Sequence, residues 1–222
     1  MKFAAFETST EWCSVALWLD GETRALEERA GNRHSERALP MLEILLKEAG
    51  LTAASLEAVA FGAGPGSFTG LRIACGLAQG IALARGLPAI GISSLEALAE
   101  ESGAARVVAC LDARMREVYY SAFEKTGGRW REVIAAQCLA PAAVPLPAGE
   151  GWIGCGSGFL AYREIFAKHF SNMKPEIHPS AAAVARLAAP RLAAGEGVDA
   201  ALAAPVYVRD KVAFTAQERK AR

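Results

Sequence analysis

The amino-acid sequence predicts an α/β protein made of two halves that repeat one unit: a strand and hairpin, then a strand, a glycine turn and a helix. Three observations carry this prediction. Two apolar runs, KFAAFE (residues 2–7) and RVVACLD (106–112), each end in an acid and lead into a hairpin. The stretch LEAVAFGAGPGSFTGLRIACGLAQGIALAR is echoed by GWIGCGSGFLAYREIFAKHF as strand, glycine turn and helix. Finally, 222 residues that are 52% apolar, with 24 basic against 24 acidic side chains, can bury a substantial core as one large domain or two small ones.

The elements follow in order. KFAAF is a short β-like run ending at Glu7. CSVALWL, the turn Asp20-Gly21 and ETRALEE form a hairpin, because Asp-Gly tolerates the left-handed backbone of a tight turn. In HSERALPMLEILLKEAG, Leu39, Leu42, Leu45, Leu46 and Ala49 recur at helical spacing, with Ser35 as N-cap and Gly50 as stop. Pro40 belongs to the first turn of that helix or kinks it just beyond. LEAVAFG is a strand feeding the glycine-rich loop, and a second helix runs from about Phe68 to Arg85. PAIGI is the next strand, and a helix starts at Ser93 or Ser94. From residue 105 the pattern returns: RVVACLD, the hairpin EVYYSAFE–KTGG–RWREVIAAQ, a Pro-rich surface connection, then GWIGCGSG and its helix. The expected domains are 1–102 and 103–213, with 214–222 a flexible basic tail. Two such halves meeting at a cleft match the two-lobed actin-like (ASKHA, ribonuclease H-like) architecture with duplicated βββαβα-type subdomains. That match concerns fold and carries no function by itself.

Composition excludes several classes. Balanced charge gives no global field favouring nucleic acid or a membrane surface. The five cysteines, Cys13, Cys75, Cys110, Cys138 and Cys155, form no C-x-x-C pair and read as reduced, packed thiols. No signal-like apolar region opens the sequence, and LRIACGLAQGIALARG is too short to span a bilayer, so the expected location is cytoplasmic. The closing VYVRDKVAFTAQERKAR reads as a solvated end.

FGAGPGSFTG poses the chemical question, since a glycine turn before a helix is a common phosphate cradle. Gly64, Gly66 and Gly70 would let backbone N–H groups converge, with Ser67 and Thr69 adding hydroxyls. Against this, the Walker spacing is absent, Gly64-Pro65-Gly66 runs into Ser67, Phe68 and Thr69 with glycine only at Gly70 so that G-x-G-x-x-G is missing, and no lysine lies between residues 48 and 124. The turns ETSTEW and DARMRE, where this architecture places its phosphate contacts, are bulky. A tight strand-to-helix turn with capping hydroxyls is the simpler reading. Neither Ser67 nor Ser157 sits in a G-x-S-x-G elbow, and His34, His169 and His178 have no metal spacing. His34 reads as a surface or capping residue. Glu7 and Asp112 end equivalent strands and would face each other across the cleft, lining it or serving a small-molecule kinase of this fold. The second helix has an unusually small surface in Gly70, Gly76 and Gly80; each interior helix glycine costs up to about 1 kcal/mol. Such residues suit close packing, on the protein's own sheet or on another subunit.

ETSTEWCSVALW, HSERALPML, GAGPGSFTGLRIACGLAQGIA, IGISSLEALA, LDARMREVYY and PVYVRDKVA, in this order, closely resemble the bacterial TsaB (YeaZ) family over residues 3 to about 213. The resemblance implies a role in making N6-threonylcarbamoyladenosine at position 37 of tRNAs that read ANN codons. It implies a non-catalytic subunit that dimerises with its metal-binding paralogue TsaD, acts with the ATPase TsaE, and forms a homodimer when alone. ATP or ADP and a metal would then sit in the partner subunits, none on this chain alone, and tRNA would be met mainly through the complex. Where TsaD carries its two metal-ligand histidines, this sequence has Ser94 and Leu98, and leucine binds no metal. The loop Gly64, Pro65, Gly66, Ser67, Thr69 and Gly70 would open a helix that meets the partner. The implied interface involves Met41, Leu42, Leu45, Leu71, Gly76 and Gly80.

Overall fold

Two five-stranded sheets of identical connectivity frame the protein, each ordered third, second, first, fourth, fifth strand of its own half. The structure, a computed structural model, describes residues 1–209. In the first sheet, β1 (Lys2–Glu7), β2 (Trp12–Leu19) and β3 (Glu22–Arg29) form an antiparallel meander. β4 (Ala58–Gly64) joins the other side of β1 in parallel, followed by β5 (Ala89–Ser93). The second sheet repeats this with β6 (Arg106–Asp112), β7 (Val118–Thr126), β8 (Arg129–Leu139), β9 (Ile153–Cys155) and β10 (Met173–Lys174). This duplicated order is the two-lobed actin-like fold. Both predicted hairpins form, with left-handed backbone at Asp20 and Gly21 and at Gly127 and Gly128.

Among the described residues six α-helices complete the lobes: α1 (His34–Glu48), α2 (Phe68–Arg85), α3 (Ser94–Glu101), α4 (Ser157–Ala161), α5 (Arg163–Phe166) and α6 (Ala181–Ala193). Ser67 caps α2 by accepting from the Gly70 amide, and Gly86 ends it with a φ of 63°. Ser93 caps α3 in the same way through the Glu96 amide. α1 departs from expectation at its start. It begins at His34 after Arg33, with no side-chain cap, so Ser35 lies inside the helix and Pro40 sits past the first turn.

The amphipathic spacing of α1 and α2 decides how they pack. On one face of the first sheet, Phe6, Val15, Leu17 and Phe61 meet Leu42, Leu45 and Leu46 of α1 and Ala74, Cys75 and Ala78 of α2. The opposite face, Phe3, Ala5, Ile90 and Ile92, is covered by Ala181, Val184, Ala185 and Ala188 of α6. A division at residue 103 therefore separates the two sheets but not the packed units. The chain returns to the first lobe after β10, and Val198 bridges to Ala89 beside β5. The second half is also reduced: its glycine turn leads only to the short α4 and α5, whose Phe159 and Phe166 cover Val108, Cys110 and Tyr120. The proposed tail, 214–222, lies outside the described residues.

α3 sits where the lobes join. Its Leu95, Leu98 and Ala99 pack on Val107, Ala109 and Leu111 of β6. Glu100 accepts from Lys125 Nζ and Trp130 Nε1, each at 2.7 Å, while Arg186 of α6 donates to Glu101 at 2.8 Å.

Candidate functional site: the interlobe cleft and the exposed face of α2

A cleft of about 1000 Å³ opens between the lobes, lined by the β1–β2 turn, the Gly-Pro-Gly loop, the β6–β7 turn and residues 206–209. The loop's glycines allow backbone to meet backbone. A Cβ on Gly66 would lie 2.5 Å from the Ser9 carbonyl oxygen, and one on Gly70 only 1.8 Å from that of Thr8. Ser67 N donates to Ser9 O at 2.7 Å, and Thr8 Oγ1 donates to Gly70 O at 2.7 Å. The Gly64–Pro65 peptide is cis, and Gly64 has a φ of 112°. The chain's own β1–β2 turn thus packs directly on the loop's glycines and takes up the Ser67 N–H. Pro65, Ser67 and Phe68 still line the cleft, and Thr69 is exposed at the start of α2.

The two strand-ending acids do not face each other. Glu7 is only 1% exposed and does not line the cleft, a correction to the expected pair. Its carboxylate accepts from Ser9 N at 2.6 Å and Ser94 Oγ at 2.9 Å, beneath Gly62, where a Cβ would lie 2.0 Å from Oε2. Burial pushes its carboxyl above the usual range, and the Ser9 and Ser94 hydrogen bonds oppose that shift. Asp112 does line the cleft. It accepts from the Arg114 amide at 2.9 Å and pairs with the Arg114 guanidinium at 3.3 Å. Arg114, Met115 and Arg116 all adopt left-handed backbone, at φ 59°, 55° and 62°. Side-chain-bearing residues resist this by roughly 1–2 kcal/mol each. The cleft's arginines are matched: Arg29 pairs with Glu11 at 2.8 Å and Arg209 with Glu117 at 2.6 Å. The cleft therefore presents balanced charge rather than an anion field.

Ser94 and Leu98, the positions that the resemblance sets against the metal ligands of TsaD, are interior. Ser94 is fully buried on Glu7, and Leu98 is fully buried against the β9–α4 turn, where its side chain would meet a Cβ on Gly156 at 2.6 Å. Among the described residues, no three His, Cys, Asp or Glu side chains converge as a metal site would require. His34 is not a surface residue: it is 4% exposed, and burial lowers its pKa despite opposing carbonyls at Thr10 and Gly31.

The implied interface residues divide sharply. Met41, Leu42, Leu45 and Leu71 are at most 4% exposed and belong to the protein's own core, so they are not contact residues of a free surface. Gly76 and Gly80 are exposed, with open space where each Cβ would be. Around them stand half-buried Ile73 and Leu77 and exposed Leu83, with Leu39 and Ile44 exposed on the neighbouring α1. Two features escaped sequence reasoning. Residues 206–209 are tied to the protein by the Val206 N to Ala63 O bond and the Arg209–Glu117 pair although Val206 and Tyr207 stay exposed, and His178 stacks on Trp12 with ring centroids 4.2 Å apart.

Comparison with known proteins fits this geometry. Residues 27–217 match the model of the family described as TsaD, tRNA N6-adenosine threonylcarbamoyltransferase. The chain is 37% identical to the tRNA threonylcarbamoyladenosine biosynthesis protein TsaB of Escherichia coli K12, over 96% of this chain and 97% of that one. It belongs to the TsaB (YeaZ) family. The TsaB of Haemophilus influenzae is 36% identical over 95% of this chain and 94% of its own length. Among solved structures, YeaZ from Pseudomonas aeruginosa superposes with a TM-score of 0.88 at 40% identity, covering 93% of this chain and 99% of that one. Among the described residues no helix is long and apolar enough to cross a membrane.

Proposed function

We propose that this TsaB-family chain is a non-catalytic subunit of the machinery that forms N6-threonylcarbamoyladenosine at position 37 of ANN-decoding tRNAs. It acts by pairing with the catalytic, metal-binding paralogue TsaD and with the ATPase TsaE, and it self-associates when alone. Family membership supports the role in tRNA threonylcarbamoyladenosine biosynthesis. The observation that carries the scaffold reading is the contrast between the two halves of one motif. The glycines of the Gly-Pro-Gly loop pack on the chain's own β1–β2 turn, whereas the helix it opens presents Gly76 and Gly80 with no described residue within 4 Å of where a Cβ would stand. Helix glycines with no intrachain contact are a cost that close approach by a second helix would offset. ATP or ADP and the metal belong, in this reading, to the partner subunits, and tRNA is met through the complex in the cytoplasm.

Light scattering on a sizing column tests it, with the purified chain alone and mixed with TsaD from the same organism. The expected result is a 1:1 complex formed at the expense of any homodimer, lost on Gly76→Leu while the variant monomer stays folded. Absence of a complex with TsaD, including after TsaE is added, would overturn the assignment.

A further inference from the structure

We infer that residues 203–209 form a strap that holds the two lobes at a fixed cleft opening, with Arg209 as its releasable end. The first part of the strap is seated on the first lobe through backbone and packing. Val206 N donates to Ala63 O at 2.7 Å, and Ala203 O accepts from Gln79 Nε2 at 2.8 Å and from Cys75 Sγ at 3.5 Å. Arg72 Nε donates to the Tyr207 hydroxyl at 3.2 Å, and the Tyr207 ring lies 5.2 Å from that of Phe68. Positions 68, 72, 75 and 79 form one stripe of α2, so the strap runs antiparallel along that helix. Gly64 permits the seating, because a Cβ there would lie 2.8 Å from Val206 O.

Among the described residues, the far end reaches the second lobe through the Arg209 side chain. The Arg209 guanidinium donates to the Glu117 carboxylate at 2.6 Å and to the Arg114 carbonyl at 3.4 Å, and lies 5.6 Å from the Tyr119 ring centroid. Its side chain is 13% exposed and that of Glu117 39%, so the pair is shielded on one side and reachable on the other. Arg209 thereby grips the left-handed turn at residues 114–116 through both a carbonyl and a carboxylate. The first-lobe half has several independent anchors, whereas among the described residues the second-lobe half is held by the Arg209 guanidinium. Breaking the Arg209–Glu117 pair frees the turn and opens the cleft, while the strap stays on α2.

The test compares the full chain with Arg209→Glu, Glu117→Arg, Glu117→Gln and the charge-swapped double variant. Small-angle X-ray scattering reads the radius of gyration, and amide hydrogen exchange reads Glu117 N–H and Val206 N–H. Each single variant is expected to expand the particle and speed exchange at Glu117 by about tenfold or more, as local opening does. Val206 should keep its wild-type rate, and the double swap should restore both readouts. A wild-type radius in the single variants would overturn the inference, as would a swap that restores nothing. Glu117→Gln, at a half-exposed position, carries the test if a charge reversal prevents folding.

Discussion

Replacing both Gly76 and Gly80 with alanine should make the isolated monomer more stable. Both glycines lie well inside the 18-residue α2, and neither has any atom within 4 Å of the place its Cβ would take. Alanine therefore meets no clash there, and it restricts the unfolded chain more than glycine does. Each substitution contributes about 0.5–1 kcal/mol in a helix interior, so the pair contributes roughly 1–2 kcal/mol. For a chain of this size about 1 kcal/mol corresponds to roughly 2–4 °C, giving a rise in Tm of about 2–8 °C. The assay is thermal and urea unfolding at protein concentrations low enough to keep the chain monomeric, because self-association would add its own stabilisation. An unchanged urea m-value would show that the variant unfolds in the same two-state transition, so that the shift in midpoint reads stability. A double variant less stable than wild type would refute the reasoning, since it would mean that the glycines serve packing within the chain. A stabilised monomer with weakened binding to TsaD is the expected pairing.

Other predictions concern the interior. Gly70→Ala, where the Cβ would lie 1.8 Å from the Thr8 carbonyl oxygen, should destabilise the fold by about 1–3 kcal/mol or more, read by urea unfolding; a wild-type midpoint would contradict the close backbone contact. The Glu7 carboxyl is held above its ordinary value near 4.5 by burial. A folded-state value above the unfolded one gives stability that is present below the unfolded value and lost as pH rises through the folded value. The stability of wild type relative to Glu7→Gln should therefore fall as pH rises from the ordinary carboxyl value through the raised folded-state one, and a pH-independent difference would remove Glu7 as the source. Among the cysteines, Cys138 is half-buried and the other four are buried, with the Cys13 thiol pushed up to about 11. A thiol-modifying reagent on the native protein should label Cys138 first, by peptide mass analysis, and early labelling of Cys13 would show that the α1–β2 contact opens readily.

Much of the fold was legible because its signals are local. Runs such as KFAAFE and RVVACLD are apolar enough to be central strands, and Asp20-Gly21 and Gly127-Gly128 supply the left-handed turns that fix hairpin register. The order of motifs also carried the family. The site was less legible because it depends on contacts between distant residues. Glu7 and Asp112 end equivalent strands, yet Glu7 is claimed by Ser94, 87 positions away, while Asp112 remains in the cleft. Helical spacing in α1 identified a stripe of leucines but not its direction. The larger stripe, with Leu42 and Leu45, took the core, leaving Leu39 and Ile44 exposed at 43% and 47%. The alanine-rich α6 could have covered either sheet by composition, and only packing shows that it covers the first.

That return of α6 also sets a timetable for synthesis. The ribosome releases β1 to β5 early, but the sheet face bearing Phe3, Ile90 and Ile92 has no cover until residues 181–193 have emerged. The first lobe is therefore the first to be made and among the last to be finished, and nearly the whole chain must leave the exit tunnel before its apolar face is sealed. A chain interrupted after the first sheet would present that face to solvent and to other nascent chains, the condition under which unfinished α/β proteins aggregate.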